Sequence, residues 1–226
     1  MGRIRESIKK YWQNTPERFF EQYNISTLKL VSPVNLFLHA RRRKVLSQIG
    51  NVSGKKILDV GCGSGVFMIE FIKRGTHVIG IDYSGKMLKE AQTQLNRFKI
   101  PKSKYSIKNA DATRLPFKNH EFDIVLATGL TDYLTDSQNR LFIKEAERVL
   151  RQKGVLVVSF PIKESPFSFL RRGLGLKIRQ KLLKLPPIEN SFSIKRIRNL
   201  LKSVKLKDVE RHKIFSTMWI IVARHI

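Results

Sequence analysis

Cysteine is almost missing from this chain. Cys62 is the only one in 226 residues, which excludes an intrachain disulfide and a cysteine-rich metal cluster and fits a reducing, cytoplasmic setting. Long apolar runs are missing too, since no stretch approaches the ~20 residues that span a bilayer. The opening MGRIRESIKK has no apolar core of the kind a signal peptide needs, and Glu6 stands where a myristoylation signal requires Ser or Thr. The expectation is a soluble, cytoplasmic protein, at most peripheral at the inner face of a membrane. Internal repeats and low-complexity segments are absent. Acidic residues are scarce: 18 Asp and Glu against 44 Lys and Arg give a formal charge of +26. Hydrophobic residues make up 42%, enough for a packed core, so wholesale disorder is excluded.

The positive excess is uneven. Residues 1–50 hold 10 basic and 3 acidic groups, residues 51–160 hold 18 and 11, and residues 161–226 hold 16 and 4. The flanks are the basic parts. Such a field attracts anions, whether nucleic acid, an acidic membrane surface or an acidic substrate, although solvated lysines in a basic protein give the same composition.

Along the chain, Thr15-Pro16 and Ser32-Pro33 read as helix starts. Phe37, Ala40, Leu46 and Ile49 follow near helical spacing, with Gly50 as a stop. From Lys55 the pattern changes. KKILDV, THVIGID, YSIKNAD, EFDIVLAT and GVLVVSF read as buried strands. SGVFMIEFIKRG, SGKMLKEAQTQLNRF and SQNRLFIKEAERVLRQ read as helices between them. This alternation predicts an α/β fold, a doubly wound, mostly parallel sheet with helices on both faces. After Pro161 the alternation stops. Phe167, Leu170, Leu174, Ile178, Leu182 and Leu185 form a helical stripe beside Arg172, Lys177, Arg179, Lys181 and Lys184, and Pro186-Pro187 ends it. SFSIKRIRNLLKSV reads as a further helix capped by Ser193. LKDVERHKIF and STMWIIVARHI read as a terminal antiparallel hairpin, completing seven strands. The expected layout is one domain: a helical N-terminal cap over 1–50, a core over 51–161, a basic helical insertion over 162–204 and terminal strands over 205–226.

The chemistry concentrates in ILDVGCGSG, Ile57 to Gly65. Glycines at a strand-to-helix turn let the backbone turn sharply and let a ligand lie against bare main chain. The helix start that follows suits an anionic group. Asp82 closes the next strand, 21 residues after Gly61, and a carboxylate there can accept hydrogen bonds from both ribose hydroxyls. These features imply a nucleoside-containing cofactor. A dinucleotide site usually reads G-x-G-x-x-G. Here the turn is G-C-G-S-G, with Asp59 two residues before its first glycine.

That turn resembles the first motif of the class I, Rossmann-like S-adenosylmethionine-dependent methyltransferases. Later blocks resemble the family's motifs in order: VIGIDYS (Val78–Ser84), NADATRLPF (Asn109–Phe117), FDIVLATGLTDYL (Phe122–Leu134) and ERVLRQKGVLVVSFP (Glu147–Pro161). The resemblance spans roughly residues 50–161 and is of the type seen in small-molecule and quinone methyltransferases. It implies S-adenosylmethionine as cofactor, S-adenosylhomocysteine as product, and no metal. Gly61, Cys62, Gly63 and Gly65 would carry the cofactor's amino-acid end, with Asp59 orienting the loop and reaching the ammonium through water. Asp82 would hold the ribose diol. Tyr83 and Met87 would border adenine, Asp111 and Ala112 would bind its edge, and Thr128, Gly129 and Leu130 would border the methyl. Phe19, Phe20 or Tyr23 would close over the cofactor as a lid.

Methyl transfer from a sulfonium draws its reactivity from the cofactor, and a base is needed where the acceptor is a hydroxyl or a carbon acid. Asp132 and Tyr133 past the fourth strand, His39 near the N-terminus and His212 near the hairpin are candidates, each with a structural role as the alternative, while His120 reads as surface. ATGLTD differs from the Asn/Asp-Pro-Pro-aromatic motif of amide and adenine N-methyltransferases. Cys62, being in the cofactor loop, does not suit covalent cytosine chemistry, and no grouping has metal-ligand spacing. Three functions fit. The first is a methyltransferase for a small or lipid-linked acceptor, with the basic flanks touching an anionic membrane. The second is an RNA methyltransferase gripping phosphates through Arg41–Lys44 and the 171–184 cluster. The third is a non-catalytic Rossmann-like binding protein.

Overall fold

The structure, a computed structural model, describes residues 20, 33–163, 165 and 190–225. The helix start at Thr15-Pro16, the lid candidates Phe19 and Tyr23 and the basic stripe of 167–185 lie outside the described residues. The elements run α1 (Pro33–Ile49), β1 (Lys56–Val60), α2 (Val66–Ile72), β2 (His77–Asp82), α3 (Gly85–Arg97), β3 (Tyr105–Asn109), β4 (Phe122–Ala127), α4 (Asp136–Val149), β5 (Leu150–Pro161), α5 (Ile194–Lys202), β6 (Leu206–Ile214) and β7 (Met218–His225). They form one seven-stranded sheet in the order β3-β2-β1-β4-β5-β7-β6. β7 runs antiparallel to both β5 and β6, and the other pairings are parallel. The expected mixed α/β architecture with a terminal antiparallel hairpin is the one observed.

Strand alternation divides the core between the two faces of the sheet. On one face Ile57, Val78, Ile124, Leu126, Val157, Ile220 and Val222 pack with Val45 and Leu46 of α1, Met68 and Phe71 of α2 and Leu95 of α3. On the other, Leu58, Val60, Ile81, Val125, Val158 and Ile221 meet Phe142, Ile143 and Ala146 of α4 and Ile197 and Leu201 of α5. Each such side chain taken fully from water contributes about 1.5–3 kcal/mol, which fixes strand register because a one-residue slip would expose the whole set. Helix starts are capped as their sequences imply. Ser84 and Ser193 accept from Met87 N and Arg196 N, and Thr135 makes a reciprocal capping box with Gln138.

One boundary differs from the sequence pattern. The periodicity of SQNRLFIKEAERVLRQ extends a helix to Gln152, yet α4 stops at Val149 and β5 begins at Leu150. The cause is local. The carbonyls of Arg148 and Val149 accept from His120 N and Glu121 N, so the turn before β4 takes the acceptors that a continuing helix would arrange differently. Residues 151–154 are absorbed where the β4–β5 register shifts between Phe122 and Ile124, with Lys153 at a φ of 61°. Among the described residues no helix is long and apolar enough to cross a membrane.

Candidate functional site

The strand order reverses between β1 and β4, and in open α/β sheets ligands bind beyond the carboxyl ends of the strands at that point. The loop leaving β1 is built there from main chain. Gly61 N and Cys62 N both donate to Ile81 O at 2.8 and 2.9 Å, and Gly65 N returns to Cys62 O at 3.0 Å. Gly61 and Gly65 have φ of 73° and 80°, and a methyl group at either would lie 3.3 Å from Leu130 or Ala91. Both the backbone and the space require glycine. Cys62 turns its thiol inward, toward Gly80 and Met68. Burial pushes that thiol well above its usual range, so it stays neutral and serves packing while its backbone shapes the loop.

Two carboxylates face this loop, Asp82 half-buried and Asp59 buried. Asp82 accepts from Gly63 N at 2.9 Å through Oδ2 and from Ser84 N at 2.8 Å through Oδ1. Burial raises its pKa and these bonds lower it. Each oxygen keeps a lone pair for a further donor. Asp59, near the end of β1, is 1% exposed, and its Oδ2 has no hydrogen-bond partner among the described residues. Burial, and secondly the charge of Asp82, push its pKa up to about 8. An orphaned buried carboxyl oxygen costs roughly 1–3 kcal/mol or more, which marks Asp59 as a place for a donor that the described residues do not supply.

Beyond β2 and β3, Tyr83 is exposed and Asp111 is exposed in a turn where its Oδ1 accepts from Thr113 N and Oγ1, both at 2.8 Å. Ala112 is buried beside them. Met87 is 2% exposed, on the inner face of α3. Beyond β4, Gly129 N donates to Ser159 Oγ at 2.8 Å and Thr131 Oγ1 to Ser159 O at 2.6 Å. Asn139 gathers the carbonyls of Thr131, Leu134 and Thr135. The glycine loop, Asp59, Asp82, Asp111 and the 128–131 turn are thus brought to one edge of the sheet.

The catalytic candidates separate. Asp132 is buried and Tyr133 half-buried in the turn that follows Leu130, next to the site. His39 lies half-buried on α1. His212 lies mid-strand on the outer strand β6, opposite Ile220, with Nε2 3.1 Å from Glu210 Oε2. His120 is exposed, as its polar turn implied. Phe20 packs against Phe98 with ring centroids 6.0 Å apart, at the end of α3 remote from Asp82. Arg41 needs correction. The sequence groups it with a surface cluster, but it is 4% exposed, and a methyl group at Gly129 would lie 2.9 Å from its Nη1. Arg42 is engaged as well, 3.4 Å from Glu70. Sequence reasoning also missed Ser159, Asn139 and Asn109, whose Nδ2 donates to the carbonyls of Asp82 and Tyr83 at 3.1 and 3.0 Å. The one available signal was a polar residue interrupting an apolar strand or a buried helix face.

Residues 57–154 match a family model described as a methyltransferase domain. The matched stretch holds the glycine loop, Asp59, Asp82 and Asp111. A demethylmenaquinone methyltransferase of Tropheryma whipplei is 33% identical to this chain over 117 residues, which are 52% of this chain and 46% of that protein. The chain therefore spans less than half the length of that relative. Among solved structures, a magnesium protoporphyrin IX methyltransferase from Synechocystis PCC 6803 with bound S-adenosylhomocysteine superposes with a TM-score of 0.74 at 20% identity, covering 99% of this chain and 100% of that one. A geranyl diphosphate C-methyltransferase from Streptomyces coelicolor gives 0.72 at 13% identity, covering 99% and 98%. At such identities the likeness is one of fold.

Proposed function

We propose that the chain transfers the methyl group of S-adenosylmethionine to a small-molecule or lipid-linked acceptor. The observation that carries this reading is the pair of carboxylates beside the glycine loop: half-buried Asp82 tethered to Gly63 N, and buried Asp59, one oxygen of which has no partner among the described residues. The residues fit the cofactor. Asp82 has lone pairs for a ribose diol, Asp59 has an acceptor for an ammonium, Gly61 and Gly65 allow the tight turn between them, and Asp111 keeps an exposed carboxylate for an exocyclic amine.

When bound, the cofactor supplies an electrophilic methyl on a sulfonium. The chain's part is orientation. Asp82 and Asp111 hold the adenosine at opposite ends, Asp59 neutralises the ammonium, and Thr128, Gly129 and Leu130, anchored through Ser159, form the wall against which the acceptor aligns. Water is kept out by the Leu130 side chain, which packs over Gly61. Where the acceptor is a hydroxyl or a carbon acid, Asp132 or Tyr133 takes its proton. The cation-rich flanks, with Leu36 and Phe215 exposed on them, support contact with an anionic surface that carries the acceptor.

The test is transfer of labelled methyl to separated small-metabolite, lipid, RNA and protein fractions. Label in the metabolite or lipid fraction supports this reading. Label confined to RNA replaces it with the RNA reading, and no label in any fraction, with cofactor bound, favours a binding protein.

A further inference from the structure

We infer that the groove between α4 and α5 binds a phosphate ester that carries a hydroxyl or an amine beside its phosphate. A cavity of about 360 Å³ opens there, of the size that holds a small ligand. It lies apart from the cofactor cleft, since the glycine loop, Asp59, Asp82 and Asp111 contribute nothing to its lining. Phe192 and Leu200, both buried, give it apolar walls. Arg140 of α4 and Lys195 of α5 also line it, both exposed and neither of them paired among the described residues. The carboxylate in the lining does not cancel them. Asp136 is taken by Arg196 Nη2 and by Asn190 Nδ2, the latter at 2.6 Å. Arg196 is itself held in place, with Nη1 donating to Ser191 O at 2.8 Å and its guanidinium 4.4 Å from the Phe192 ring centre. Two cations therefore remain for a ligand, next to the first turn of α5, whose leading amides lack partners within the helix and favour an anion.

Two exposed cations and a helix start would attract any anion. The residue that narrows the choice is Asn139. It lines the same cavity and is 1% exposed. Its Nδ2 is held by the carbonyls of Thr131, Leu134 and Thr135, so the amide cannot be turned over without losing all three. Oδ1 is the polar atom left to the cavity, and it has no partner among the described residues. A buried acceptor left open is costly, and an ionised phosphate cannot answer it, because its oxygens accept as well. An O–H or N–H on the same ligand can. An anion and a donor a few bonds apart are the chemistry of a phosphoglycerol unit, whether free or at the head of a phospholipid.

The experiment is calorimetric titration of the full chain with sn-glycerol 3-phosphate and with inorganic phosphate. Wild type is expected to bind the ester on the order of 10-fold more tightly than inorganic phosphate, through the hydroxyl that meets Asn139. Arg140→Gln and Lys195→Gln should each weaken the ester on the order of 10-fold. Lys89→Gln, an exposed cation on α3, should leave it within about twofold. Arg140 and Lys195 are exposed, so neither change threatens folding. Sedimentation with phosphatidylglycerol vesicles separates the two sources. Capture that both variants lose assigns the phosphate to a lipid head, whereas no capture, or capture that survives in both variants, leaves the free ester as the ligand. No measurable binding of glycerol 3-phosphate overturns the inference. So does equal affinity for the ester and inorganic phosphate, or ester binding unchanged in Arg140→Gln and Lys195→Gln.

Discussion

Asp59 and Asp123 sit on neighbouring strands, at opposite edges of one sheet, and their surroundings are opposite. Asp123, at the amino end of β4, accepts from Lys56 N at 2.8 Å and from Arg151 Nη1 at 2.9 and 3.0 Å. Burial pushes its pKa up, but these partners outweigh it and hold the carboxyl below its ordinary range. Glu121 beside it is likewise held down by Lys56 Nζ at 2.8 Å. Asp59, at the carboxyl end of β1, has an oxygen without a partner among the described residues and is pushed up to about 8 by burial and by Asp82. One edge is finished structure, where every one of these carboxylates is answered by the chain. The other leaves a carboxylate to be answered by something else. A protein breaks its own pairing rules where function compensates for the cost.

The largest way to break this contrast is Asp82→Ala. It removes the ribose acceptor and releases Gly63 N, so S-adenosylhomocysteine affinity should fall on the order of 100-fold by calorimetry, as two charge-assisted interactions are lost. Wild-type affinity in that variant would end the site assignment. Next comes Asp59→Asn, expected to weaken binding about 10-fold by removing the charge opposite the ammonium. It also has a stability signature. The folded pKa of Asp59 lies above its unfolded value, so the native state binds the extra proton between about 3.8 and about 8. Ligand-free stability contributed by Asp59 is full below the lower value and is lost as pH rises through the upper one. Asp59→Asn should therefore match wild type in thermal melts near pH 3.5, below the unfolded value, and exceed it at pH 9. Parallel melting curves at both pH values would show that Asp59 is not protonated in the free protein.

Much of this was legible in the sequence, and the reason is periodicity. The strands are short apolar runs closed by Gly or Asp, and the sheet order follows from alternation and crossover handedness. Asp59, Gly61 and Asp82 were visible because a turn and a strand end fix their place. Arg41 was not. Its helix has apolar residues near helical spacing, but nothing in HARRRK says which of three consecutive arginines turns inward. That is decided by contact with Gly129, 88 residues away in sequence. Ser159 and Asn139 were hidden for the same reason, since each serves a backbone group in a distant or turning segment. The early end of α4 was hidden because helical periodicity cannot register that the 120–121 turn claims the carbonyls at 148 and 149.

The contrast between the edges sharpens with smaller effects. Asp111→Ala should cost only about threefold in S-adenosylhomocysteine affinity, because its carboxylate is exposed and its bond to an exocyclic amine competes with water. A loss as large as that of Asp82→Ala would mean that adenine, not ribose, anchors the ligand.

The smallest effect belongs to the finished edge. Arg151→Ala removes one partner of Asp123 while Lys56 N remains. With the arginine side chain 49% exposed, solvent screening limits the change to about 0.5 kcal/mol in urea unfolding at pH 7. Asp123 has a lowered folded pKa, so the stability it lends is present above the unfolded pKa and disappears as pH falls through the folded one. The difference between Arg151→Ala and wild type should accordingly vanish near pH 2, the reverse of the Asp59 pattern. S-adenosylhomocysteine affinity should not move. If it did, by as much as Asp111→Ala moves it, the two edges would be coupled through β1 and β4, and the division between a structural edge and a binding edge would not hold.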